Sequence, residues 1–182
     1  MEATPARAPK RLIVGITGAT GAIFGVRLLE ALGAHTLADH VDRVRSDGDL
    51  VTIAVPAGTH DWRSHRFRMH ALEDRDQVVR AFRGGGWNAF EAPLPSVVVR
   101  LVRRWPHTVL DVGANTGLYS LIAVSAHRSA RAIAYEPVPE IAVLLRANVD
   151  ANPHGRRVTV RELAIGDLGE LPVEMLGLDQ KL

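Results

Sequence analysis

The pattern of apolar and polar positions divides the chain into βα units. An apolar run at 12–16, glycines at 15, 18 and 21, and a second apolar run at 23–32 read as strand, glycine turn and helix. Residues 37–49 are polar and acid-rich, with isolated apolar residues such as Val41 and Val44, so no second parallel strand is expected to continue that unit. An alternating run at 50–55 predicts a strand closed by Pro56 and Gly58. With the His- and Arg-rich stretch 59–68 it suggests a small β-rich region. Residues 73–83 predict a helix with Val78, Val79 and Phe82 inward, ended by Gly84, Gly85 and Gly86, after which Trp87 and Phe90 are expected in the core.

Pro93, Pro95 and Ser96 open a helix that runs to Arg104. Beyond it the pattern becomes regular: a buried strand at 108–112, a helix at 117–126, a strand at 132–135, a helix at 139–149 and a strand at 158–163. This β-α-β-α-β order is one half of a doubly wound α/β sheet, Rossmann-like, with an extra βα unit ahead of it. Right-handed crossovers predict parallel strands in spatial order 3-2-1. The expected organisation is a flexible tail at 1–10, a glycine-turn βα unit at 11–36, a region of short strands and helices at 37–107, and the Rossmann-like half at 108–182.

Composition narrows the function classes. A chain of 182 residues, 47% of them hydrophobic, suits one globular domain. No segment offers the roughly 20 uninterrupted apolar residues of a membrane helix, and the first ten residues lack the apolar stretch of a signal peptide. A cytoplasmic protein without a membrane partner is expected. The absence of cysteine removes disulfides, thiolate metal sites and cysteine nucleophiles, and no metal site is expected. Net charge is +2 and the arginines alternate with acids, so no nucleic-acid partner is expected. Arg100, Arg103 and Arg104, opposite Val97, Val98, Leu101 and Val102, read as a solvated helix face.

The chemistry is concentrated at 109–117, Val-Leu-Asp-Val-Gly-Ala-Asn-Thr-Gly. It places Asp111 at the end of a buried strand and then a turn whose glycines let the backbone approach a ligand. Gly113 and Gly117, with Asn115 between them, do not make the G-x-G-x-x-G of a pyrophosphate cradle. A phosphate-free ligand such as S-adenosylmethionine (SAM) fits better. Glu136, 19 residues after Gly117 and at the end of the next strand, stands where a carboxylate can accept both ribose hydroxyls of an adenosine. The alternative is that Asp111 caps a helix and Glu136 merely occupies a loop.

These residues resemble the FkbM family of SAM-dependent methyltransferases over about residues 50–174. The resemblance rests on Leu-Asp-Val-Gly-Ala-Asn-Thr-Gly-Leu-Tyr-Ser at 110–120, Tyr-Glu-Pro-Val-Pro-Glu at 135–140, Leu-Leu-Arg-Ala-Asn-Val at 144–149 and Ala-Ile-Gly-Asp at 164–167. It implies a Rossmann-like class I methyltransferase in which Asp111, Gly113, Asn115 and Gly117 surround the methionine part of SAM. Glu136 would then hold the ribose and Asp167 would lie near the adenine, although a Gly-Asp pair is also ordinary turn chemistry. Family members continue with a strand like Lys-Ile-Asp-Val-Glu-Gly and further strands that shape the acceptor site. This sequence stops at Leu182, so the C-terminal half of the domain is expected to be missing and turnover by the chain alone is in doubt.

The opening segment resembles a different family. Residues 11–25, Arg-Leu-Ile-Val-Gly-Ile-Thr-Gly-Ala-Thr-Gly-Ala-Ile-Phe-Gly, are similar to the start of UbiX-type flavin prenyltransferases. The resemblance implies that Gly18, Ala19, Thr20 and Gly21 meet the phosphate of FMN at a helix N-terminus. Nothing after Ala34 continues it, which suggests a fusion of two gene starts and a packed remnant rather than a working site. The leading expectation is therefore methyl transfer from SAM to a hydroxyl of a small-molecule acceptor. His60, His65 and His70 are candidates by residue type for the base, with surface or packing roles as the alternative. The alternatives to methyl transfer are flavin prenyl transfer from dimethylallyl phosphate to FMN, and a nucleotide-binding fragment without turnover.

Overall fold

The computed structural model describes residues 44–55, 65–105, 108–166 and 169–171. The first elements are strands β1 (Val44–Asp47), β2 (Leu50–Ala54) and β3 (Arg66–His70), which form an antiparallel sheet in that order. Strand β1 lies within 37–49, where no second parallel strand is expected, and it is antiparallel to β2. A two-residue turn at Gly48 and Asp49 pairs Asp47 with Leu50, and Gly48 takes φ +60, the positive first position of a tight hairpin. In β2 and β3 the alternation holds: Val51 pairs with Met69 and Ile53 with Phe67, all four fully buried or nearly so, while Arg66 and Arg68 face out.

Helix α1 (Gln77–Gly85) begins four residues later than the charge pattern of 73–83 suggests. Leu72, Glu73 and Asp74 all have left-handed backbone, which a helix cannot use, and the Asp76 carboxylate then caps α1 by accepting from Val79 N at 2.8 Å. Val78, Val79 and Phe82 point inward as expected, and Gly86 ends the helix at φ +72. Trp87 is buried against Phe82, edge to face, and its indole donates to the buried Ser96 Oγ at 2.9 Å. Helix α2 (Leu94–Arg104) buries Val97, Val98 and Val102. Arg100 and Arg104 are exposed, while Arg103 is half-buried.

Strands β4 (Thr108–Val112), β5 (Arg131–Tyr135) and β6 (Val158–Arg161) are parallel neighbours in the order β4-β5-β6, the expected 3-2-1 arrangement. The third strand ends at Arg161, two residues short of 163. Helices α3 (Leu118–Ala126) and α4 (Pro139–Asp150) make the two crossovers. Because both crossovers step the same way across the sheet, their right-handedness puts both helices on one face. The row Val109, Ala132, Val158 and the row Asp111, Ala134, Val160 are in register, and Val109, Ala134, Val158 and Val160 belong to or pack against the same apolar cluster as Leu121, Ile122, Leu145 and Val149.

One apolar cluster runs from Val51 to Val149, so the antiparallel sheet, α1 and α2 share a core with the parallel sheet. A short hairpin, β7 (Ala164–Gly166) with β8 (Gly169–Leu171), follows. The fold is thus α/β, with a three-stranded parallel sheet flanked by helices, compatible with a Rossmann-like architecture. Among the described residues no helix is long and apolar enough to cross a membrane.

Candidate functional site

Two βα turns meet at the C-terminal ends of β4 and β5, where open α/β sheets hold their ligands. The first turn, residues 113–117, carries Gly113 at φ +72, Asn115 at φ +49 and Gly117 at φ +97. Asparagine is the non-glycine residue best suited to such backbone. Gly113 N and Ala114 N both donate to Tyr135 O at 2.9 Å, and Gly117 N closes the turn on Ala114 O at 2.9 Å.

Glu136 joins the two turns. It is only 5% exposed, its backbone N donates to Arg161 O, and its carboxylate accepts from Asn115 N at 2.8 Å and from Val138 N at 3.0 Å. The carboxylate therefore lies against the middle of the glycine turn, between Gly113 and Gly117, rather than in an unattached loop. Each of its oxygens keeps acceptor capacity for a further donor.

Asp111 is buried in the row that faces the helices, and its Oδ2 accepts from Ser120 N at 2.9 Å and Ser120 Oγ at 2.7 Å. Gly117, the N-cap residue of α3, has no side chain to satisfy the first-turn amides, so Asp111 does it from the strand. This is the helix-capping alternative recognised in the sequence. Burial raises the Asp111 pKa above the usual aspartate value; the bonds from Ser120 oppose the rise and the Glu136 charge adds to it.

The two glycines answer different needs. A Cβ on Gly117 would collide with Leu145 Cδ1 of α4, whereas a Cβ on Gly113 would meet nothing within 4 Å. Gly113 thus borders open space beside Glu136, the kind of space a ligand lying on the turn requires. At the start of α3, Tyr119 OH donates to Glu91 Oε2 at 2.5 Å, and burial, followed by this acceptor, pushes its pKa well up.

Among the expected site residues, Asp111, Gly113, Asn115, Gly117 and Glu136 are brought together. Asp167, the loop Gly18, Ala19, Thr20 and Gly21, and His60 lie outside the described residues. His65 Nδ1 is 2.8 Å from Ser125 O, and His70 Nδ1 is 2.9 Å from Asp49 Oδ2; both side chains are engaged in the antiparallel sheet and its packing. Ser120, Asn148 and the Tyr119–Glu91 pair carry contacts around the turn that residue type alone did not assign. Of these, Ser120 had a readable signal, standing three residues after the N-cap glycine, where a first-turn amide seeks an acceptor. The chain matches no family model, no curated protein and no solved structure.

Proposed function

We propose that this chain carries the nucleoside side of a SAM site and is a methyltransferase of the class I, FkbM-like type acting on a hydroxyl of a small molecule. The observation that carries the reading is the Glu136 carboxylate, buried at a strand end against Asn115 N and beside the open face of Gly113. The donor set suits this ligand. No lysine or arginine occurs in 109–120 or 135–140, and two carboxylates, Asp111 and Glu136, flank the turn. That environment repels phosphate and tolerates a cation.

SAM supplies an activated methyl group on a positively charged sulfonium. In this reading Glu136 accepts from the ribose hydroxyls while its bonds to Asn115 N and Val138 N hold it in place, so the nucleoside is oriented by a preformed carboxylate. The backbone of Gly113 lines the bound molecule, and Asp111 keeps α3 and the turn in register through Ser120. Thermal unfolding tests the reading. At about 100 times the dissociation constant, SAM should stabilise the protein by about 2.7 kcal/mol, while FMN and NAD at the same concentration leave the melting temperature unchanged. Protection by FMN or NAD and none by SAM would reverse the assignment.

A further inference from the structure

The motif at 144–149 contains Asn148, which the cofactor reading leaves without a task. Asn148 is 1% exposed, and its amide spans two elements. Its Oδ1 accepts from His70 N at 2.7 Å on the outer edge of β3, and its Nδ2 donates to Thr116 O at 2.8 Å within the glycine turn. The amide orientation follows from its partners, since a backbone N–H can only donate and a carbonyl can only accept.

The Thr116 carbonyl needs this partner for a specific reason. In a regular helix it would accept from Ser120 N, but that amide is taken by Asp111, and the first bond of the α3 ladder runs from Leu121 N to Gly117 O. Thr116 O is left out of the helix, buried beside α4, and Asn148 fills the gap. The Thr116–Gly117 peptide is therefore fixed by α4, directly after Asn115, whose N–H meets Glu136.

Asn152 provides an internal comparison. Its Oδ1 accepts from Arg68 N at 2.7 Å, and its Nδ2 donates to Arg68 O at 2.8 Å and Asn148 O at 2.6 Å, so it clasps the same edge of β3 with no bond to the turn. We infer that Asn148 is a positioning residue: its amide locks the glycine turn to the edge of β3, so that the antiparallel sheet helps set the geometry at Asn115 and Glu136. As a statement about cofactor affinity, this rests on the SAM reading above.

Hydrogen exchange on the full chain tests the positioning without any ligand. In Asn148→Asp an oxygen remains for His70 N but a carboxylate oxygen faces Thr116 O, and in Asn148→Ala both bonds are lost. Both variants should speed exchange of the Asn115 and Gly117 amides by about tenfold or more, the factor one buried hydrogen bond carries. Asn152→Ala should lower the melting temperature comparably to Asn148→Ala yet leave those two amides within about twofold of wild type. SAM affinity, measured well below the melting temperature, should fall about tenfold in the Asn148 variants only. Wild-type exchange at the turn in Asn148→Asp, or equal acceleration in Asn152→Ala, would overturn the inference. A wild-type protein that binds no SAM would refute the cofactor assignment, and the exchange comparison would still decide the role of Asn148.

Discussion

Replacing Gly117 by alanine separates two causes that meet at one residue. The backbone there is at φ +97, ψ 19, and a side chain in left-handed backbone costs about 1–2 kcal/mol. The added Cβ would also collide with Leu145 Cδ1, and Leu145 is fully buried in the core, so its displacement adds an overpacking cost of about 1–3 kcal/mol. Gly117→Ala is therefore expected to destabilise by about 2–5 kcal/mol in total, the sum of those two ranges. The terms part in a double-mutant cycle with Leu145→Ala, which alone should cost about 2–5 kcal/mol. With Leu145 truncated the collision disappears and only the backbone term remains, giving a coupling of about 1–3 kcal/mol. Urea unfolding of the four proteins, with unchanged m-values, measures it. Equal costs of Gly117→Ala in both backgrounds would refute the packing argument. Gly113→Ala, with open space around its Cβ, should show the backbone term and no coupling to Leu145.

Two further substitutions test the surroundings of the turn. Because burial holds the Asp111 pKa above its unfolded value of 3.8, the unfolded state loses its proton first and stability falls as pH rises through that window. Asp111→Asn keeps an acceptor for Ser120 without the charge, so it should gain on wild type as the pH rises above about 4, by about 1.4 kcal/mol per unit of pKa shift. A difference in urea midpoints that stays flat with pH would contradict this. Arg157 closes the C-terminal end of α3 by donating to Val124 O at 2.5 Å, His127 O at 2.8 Å and Ala130 O at 2.9 Å. Arg157→Met should lower stability by about 1–3 kcal/mol in the same assay; a change under about 0.5 kcal/mol would mean the contacts carry no net stabilisation.

The parallel half of the fold was legible because β4 and β5 are short, mostly apolar runs that end at a turn glycine or acid, Thr108–Val112 at Gly113 and Arg131–Tyr135 at Glu136. Strand β1 was not, since β1 contributes little apolar surface; the readable signal there was Asp47-Gly48-Asp49, a tight-turn sequence, rather than periodicity. The start of α1 was misplaced because the charge pattern of 73–83 is helical in composition, while the actual limit is the Asp76 cap after three left-handed residues. At the site, Asp111 and Glu136 announced themselves by standing at strand ends. The bonds of Asn148 and Asn152 did not, because their strand partners His70 and Arg68 lie 78 and 84 residues away in the chain, and no local pattern encodes that pairing.

The proposed contact of Glu136 with the ribose of SAM is tested by calorimetric titration of SAM into three proteins. Glu136→Gln retains a carbonyl oxygen for one of the backbone donors, Asn115 N or Val138 N, but loses the carboxylate charge. Hydrogen bonds to a charged acceptor contribute about 1.5–3 kcal/mol, so affinity should fall at least about tenfold. Glu140→Ala, exposed in the first turn of α4, is the control and should bind as wild type does. Wild-type affinity in Glu136→Gln, or an equal loss in Glu140→Ala, would contradict the assignment of the ribose to Glu136.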